Sequence, residues 1–113
     1  AAEQENAKAQ THLGAMYQIG QEVEQDFKEA MKWYRKAAEQ NEPYAQGNLG
    51  VMYRDGKGVK QDFVQALKWT NLAGAQNEFI ATMFRNHLTF RMSDEEIAEA
   101  DRLAHEWIPA PGP

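Results

Sequence analysis

Apolar residues in this chain recur at helical spacing, and the whole arrangement comes round a second time. Ala9, Leu13, Met16 and Tyr17 sit at i, i+4, i+7 and i+8, one stripe of an α-helix, and Ala45, Leu49, Met52 and Tyr53 repeat the stripe. A second stripe of Phe27, Ala30, Met31, Tyr34 and Ala38 is echoed by Phe63, Ala66, Leu67 and Gly74, with Trp33 and Trp69 beside it. Gly20 and Gly56 fall where a residue in the left-handed region ends the first helix without a Cβ clash. Val23 and Val59, lone apolar residues in the connections, are expected to peg into the core. Asp26 and Asp62 are predicted N-caps of the second helices, and Glu29 and Gln65, three residues on, complete the spacing of a capping box. Gly14 and Gly50 lie inside the first helices, where glycine costs about 1 kcal/mol relative to alanine. Their recurrence at one register, with Ala37 and Ala73 opposite, predicts helices that approach closely.

Slid by 36 positions, residues 7–42 match residues 43–78 in 18 of 36 columns, which defines two units. The opening Ala1 to Gln4 matches Ala37 to Gln40, so residues 1–6 are expected to be the end of an earlier unit. Residues 79–92 begin a third unit and depart from it: Ala81 matches Ala45, but Arg85 and Asn86 replace the Leu and Gly columns and Thr89 the Tyr column. Such decay is expected where the outer face of an array meets water. Ser93 with Glu96 forms a capping box ahead of the stripe Ile97, Ala100, Ala104 and Trp107, and Pro109, Pro111, Gly112 and Pro113 end it. Residues 93–108 are therefore predicted as a capping helix and 109–113 as a Pro-rich tail. Trp33, Trp69 and Trp107 come once per unit, which favours packing between units over an exposed aromatic platform.

The repeated string A-x-x-x-L-G-x-M-Y-x-x-G-x-G-V-x-x-D-F-x-x-A-x-K-W-x-x-x-A, from Ala45 to Ala73, resembles the Sel-one-like repeat, a cousin of the tetratricopeptide repeat. The resemblance covers roughly residues 1–90. It implies an all-α fold, a right-handed solenoid of antiparallel helix pairs closed by a capping helix. It also implies a scaffold or adaptor that holds a protein or peptide in a curved groove. Bacterial members of the family are often exported or secreted, and eukaryotic relatives serve in membrane-protein quality control. Two departures stand out. Glu22 replaces the second loop glycine that Gly58 supplies in the next unit, so the first loop is expected to turn differently, and Thr70 stands in the Tyr34 column.

Composition narrows the function classes. The chain has 113 residues, 42% of them apolar, enough for one domain with a core, and a formal charge of −5. Six acids and one base crowd residues 93–108, while the remainder is balanced at 11 of each. A basic footprint for nucleic acid is missing, and no apolar run is long enough for membrane insertion. There is no cysteine. His12, His87 and His105 match no metal spacing, and Asp101 with His105 reads as a surface hydrogen bond on the last helix. Ser93, the sole serine, is a cap, and Gly56-Lys57-Gly58 lacks the spacing of a phosphate loop. No catalytic group, metal or cofactor is expected.

The columns that differ between units point to the candidate site. Lys8, Thr11, Ala15 and Gln18 are spaced by 3, 4 and 3 on a face away from the buried stripe. With His12, and with Tyr44, Asn48, Val51, Arg54 and Asp55 of the second unit, they are expected to line a concave groove for a protein or peptide. The alternatives are that these columns vary because nothing constrains them, that the chain is an envelope-associated assembly or quality-control factor, or that it is a hydrolase with an unrecognised site. The free edge at residues 1–6 offers a place for self-association. Periplasmic, secreted and cytoplasmic locations in a bacterium are all compatible with the chain.

Overall fold

Each first helix is tied to the loop that follows it by the same three features in both units. Gly20 and Gly56 take φ of +82° and +69° and end the first helix. The backbone N–H groups of Asp26 and Asp62 donate to the carbonyls of Tyr17 and Tyr53, both at 2.9 Å. The carboxamides of Gln25 and Gln61 donate to the carbonyls of Gln18 and Arg54 at 2.8 and 2.7 Å, satisfying acceptors that a helix C-terminus leaves open. The aspartates then cap the second helices, Asp26 accepting from the N–H groups of Lys28 and Glu29 and Asp62 from that of Gln65. Because the caps' own N–H groups are already bonded to the tyrosine carbonyls, the reciprocal half of the predicted box does not form there. It does form at Ser93, which exchanges bonds with Glu96 at 2.9 and 3.1 Å.

The computed structural model describes residues 2–109, the side chains of 2–4, 80–82 and 84 excepted. They form six helices: α1 (Ala2–Ile19), α2 (Phe27–Glu39), α3 (Pro43–Asp55), α4 (Phe63–Gln76), α5 (Glu78–Thr89) and α6 (Asp94–Glu106), with no strand among the described residues. Ala1, the side chain of Ala81 and the tail residues Pro111, Gly112 and Pro113 lie outside the described residues. α1 pairs with α2 and α3 with α4, α2 packs on α3, and α4 packs on both α5 and α6. This is a stack of helical hairpins in sequence order. Residues 2–19 run as one unbroken helix, so the stretch expected to end an earlier unit continues straight into α1. It lacks the turn that Asn41, in the left-handed region at φ +70°, makes between α2 and α3.

Within a unit the helices meet at the glycine column. A Cβ on Gly14 would stand 2.7 Å from the Tyr34 ring, and one on Gly50 2.7 Å from the Thr70 hydroxyl and 3.0 Å from the Ala66 carbonyl. Tyr34 and Thr70 occupy one column, so a ring in unit 1 and a hydroxyl in unit 2 fill the same gap. Between units, Leu49, Met52, Leu67 and Leu88 are buried, and Arg35 of α2 donates to the Tyr53 hydroxyl of α3. Trp69 is 2% exposed and meets Trp107 edge-on, ring centroids 5.8 Å apart. That contact lets α6 close the stack on α4. In unit 1 the predicted stripe is only partly covered: Leu13, Met16 and Tyr17 are half-buried and Ala9 is exposed, in contrast to its buried counterpart Ala45. The difference follows from position, since only α2 covers α1 closely whereas α3 lies between α2 and α4.

The second loop glycine explains itself at the seam. Gly58 has φ of +74°, and a Cβ there would lie 2.4 Å from the Phe27 carbonyl oxygen of the preceding unit. Glu22, in the same column, adopts φ of +66° all the same. The first loop therefore takes the turn of the second despite lacking the glycine, which corrects the expectation of a different turn. Gly58→Ala is expected to destabilise the chain by roughly 1–3 kcal/mol through strain and the Phe27 clash. Glu22→Gly is expected to stabilise it by about 0.5 kcal/mol as the left-handed strain is relieved. Trp69→Ala should cost roughly 3–5 kcal/mol, as for other buried aromatics. Urea melts of the three variants against the parent check all three values.

Candidate functional site

The columns singled out above divide into exposed and half-buried side chains. Lys8, His12, Tyr44 and Asp55 are exposed, Tyr44 to 61%. Thr11, Ala15, Gln18, Asn48, Val51 and Arg54 are half-buried. Thr11 donates its hydroxyl to the Ala7 carbonyl of its own helix at 2.9 Å. Gln18 is engaged at both ends: its side-chain oxygen accepts from the Tyr34 hydroxyl at 2.6 Å and its carbonyl from Gln25. These two side chains are engaged within the hairpin.

Two cavities show which residues come together. One of about 350 Å³ joins Lys8 of α1 to Tyr44 of α3, floored by Gln40, Asn41 and Glu42 of the α2–α3 turn and by Gln76 of α4. Lys8 and Tyr44, the same column of two successive first helices, thus line one cavity. The other, about 420 Å³, is lined by Asn86, His87, Phe90 and Arg91 of α5 and its C-terminus. The opposite end of α3 faces this second region electrostatically. Arg54 bonds Asp55 at 2.9 Å and, through that bond, holds the Asp55 carboxyl below the usual carboxylate range. Burial opposes the lowering, and the charges of Arg54, Lys57 and His87 add to it.

Beneath the first cavity lies a carboxamide ladder that the sequence comparison held but that the choice of differing columns passed over. Gln40 donates to Gln10 at 2.8 Å in unit 1, and Gln76 to Gln46 at 3.1 Å in unit 2, the same pair one repeat on. Gln76 also donates to Asn41 at 2.8 Å and so joins the units, while fully buried Gln46 donates to the Ala38 carbonyl at 3.1 Å. The side-chain oxygen of Gln40 is buried without a partner. Identity of Gln10 with Gln46 and of Gln40 with Gln76 was the available signal.

Other candidate chemistry is absorbed by packing. Asp101 accepts from Asn71 at 2.7 Å and lies 3.2 Å from Arg85. The bond expected between Asp101 and His105 on the helix surface is thus replaced by a link from α6 to α4 and α5. No group of three or more His, Asp or Glu side chains placed to hold a metal ion occurs among the described residues. None of the described helices is long and apolar enough to cross a membrane.

Two consecutive hairpins of one 36-residue pattern, stacked through their second and first helices, define a helical-repeat protein. The Sel1 repeat model matches residues 7–42 and 43–78. The chain belongs to the Sel1 repeat family. Among solved structures it is similar to a protective antigen present in uropathogenic Escherichia coli strains that displays an SLR fold, with TM-score 0.86 and 34% identity over 90% of this chain and 22% of that one. It is also similar to a Sel1 repeat protein from Oxalobacter formigenes, with TM-score 0.71 and 40% identity over 89% of this chain and 43% of that one. The chain thus spans less than half the length of either. No curated protein sequence matches it significantly.

The Tyr34–Gln18 pair supplies a test of which residues are structural. Burial pushes the Tyr34 hydroxyl from its ordinary 10.0 up to about 12. With the folded-state value the higher one, the hydroxyl's contribution to stability is fully present below about pH 10 and lost as the pH rises towards 12. Urea melts across that range should show stability falling, and Tyr34→Phe should flatten the slope.

Proposed function

We propose that the chain is a non-catalytic scaffold that binds a protein or peptide in a groove lined by its first helices. The observation that carries this reading is the cavity shared by Lys8 and Tyr44. It shows equivalent positions of successive units opening into one space, which suits a ligand that crosses helices instead of docking on one. Supporting it, the exposed side chains of that face are of mixed chemistry: a cation, an imidazole, an aromatic ring and a carboxylate. Side chains that would serve acid–base chemistry elsewhere are engaged as caps or interhelical bonds, as at Asp26, Asp62, Ser93 and Asp101. Family membership favours the same role, because helical repeats that bury one face of each hairpin leave a continuous second face for recognition.

Tyr44, Asn48 and Arg54 lie on one side of α3 and test the assignment together. A partner captured with the chain as bait should bind the triple alanine variant at least tenfold more weakly, a loss of about 1.4 kcal/mol or more. Calorimetry or anisotropy on the purified pair gives the answer, with circular dichroism to show that the variant is folded. Unchanged affinity would place the partner on another surface.

A further inference from the structure

α5 exposes apolar side chains on the face that a hairpin partner covers in the other two units. In one column of the first helices, Gly14 lies against Tyr34 of α2, and Gly50 against Thr70 and the Ala66 carbonyl of α4. One turn further on, Gln18 accepts from the Tyr34 hydroxyl. Continued by 36 residues, these columns fall on Asn86 and Phe90, which line the second cavity. That space stands where a third hairpin would place its second helix. α6, the next helix in the chain, packs instead on α4 and meets α5 at Asp101 and Arg85. Phe79 and Met83 extend the stripe: with Asn86 and Phe90 they fall within about 60° of one another around α5. They point away from Leu88, which is buried on the opposite side. Phe79 is 70%, Met83 52% and Phe90 92% exposed.

Independently of the groove above, we propose that this face is the contact between two copies of the chain, their α5 helices antiparallel about a two-fold axis. The stripe is its own complement when reversed. Phe79 and Phe90 are equally distant from the midpoint between Met83 and Asn86, so each copy's Phe79 meets the other's Phe90. The two aromatic pairs lie about 16 Å apart at the helical rise, with Met83 and Asn86 of both copies between them. None of the four residues is charged, and the neighbouring Arg91 is drawn onto the Phe63 ring of α4. The reversed pairing therefore opposes no like charges along the stripe. The area agrees with a second copy. Phe79, Met83 and Phe90 at these exposures offer on the order of 400 Å² per copy, a patch large enough to mark a contact. Two copies with their flanking turns come near the roughly 1,000 Å² of a specific but weak association.

Sedimentation equilibrium on the purified chain tests this. The parent should pass from monomer to dimer with a Kd on the order of 10–100 µM. Because each copy carries −5, the dimer should tighten as salt rises from about 50 to 500 mM and screens their repulsion. Phe90→Glu should raise the Kd at least tenfold while keeping the parent's circular dichroism spectrum and melting temperature; Phe79→Gln serves if it does not. The chain has no cysteine, so Phe79→Cys and Phe90→Cys report the orientation. An oxidised equal mixture of the two should give a disulfide-linked heterodimer, and neither variant alone a linked homodimer. A chain that stays monomeric at about 500 µM, or a dimer that salt weakens or that neither substitution weakens, would overturn the proposal. Linked homodimers of each cysteine variant, without the heterodimer, would overturn the antiparallel pairing.

Discussion

Stacking of one hairpin upon the next is the constraint on which the buried residues depend. A single pair of short helices has two apolar faces and can hide only one of them. The two units show the consequence side by side: Leu49 and Met52 are buried where Leu13 and Met16 remain half-buried. The same residue types at the same register differ in burial because α3 is covered on two sides. At the seam the contact is tight enough that Gly58 rests on the Phe27 carbonyl, where a Cβ would stand 2.4 Å from the oxygen. Arg35 on Tyr53 and Gln76 on Asn41 tie the same two units by polar bonds. Trp107 on Trp69 then performs for the last unit what a further hairpin would otherwise do.

Much of this was legible because repetition turns each column into a second measurement. The helices, the glycine approach at Gly14 and Gly50, the aspartate caps and the role of Trp69 all follow from residue type and spacing. What was not legible depended on partners distant in sequence. The spacing of Asp26 to Glu29 predicts a reciprocal box, but the Asp26 N–H is taken by the Tyr17 carbonyl, nine residues upstream. Glu22 suggested a new turn, yet the tethers at Gln25 and Asp26 are unchanged and hold the loop in its repeat geometry at the cost of a left-handed residue.

The candidate face was legible in part. Choosing columns that differ between units found Lys8 and Tyr44, which share a cavity. The same rule swept in Thr11 and Gln18, whose hydrogen bonds serve the hairpin. It also passed over the glutamine ladder beneath that cavity, since Gln10, Gln40, Gln46 and Gln76 are identical between units and so looked purely structural. The second cavity, at Phe90 and Arg91, was not legible because the third unit decays from the repeat. Its Arg85 and Asn86 abandon the buried pattern, and they now link to α4 and hold the α5 C-terminus.

Native-state hydrogen exchange tests the stacking account most directly, because it reads stability helix by helix. Amides of α3 and α4, covered on both sides, should exchange slowest, with α1 exchanging well before them and α6 in between. Equal protection throughout, or an α1 more protected than α3, would contradict an array held together by its seams.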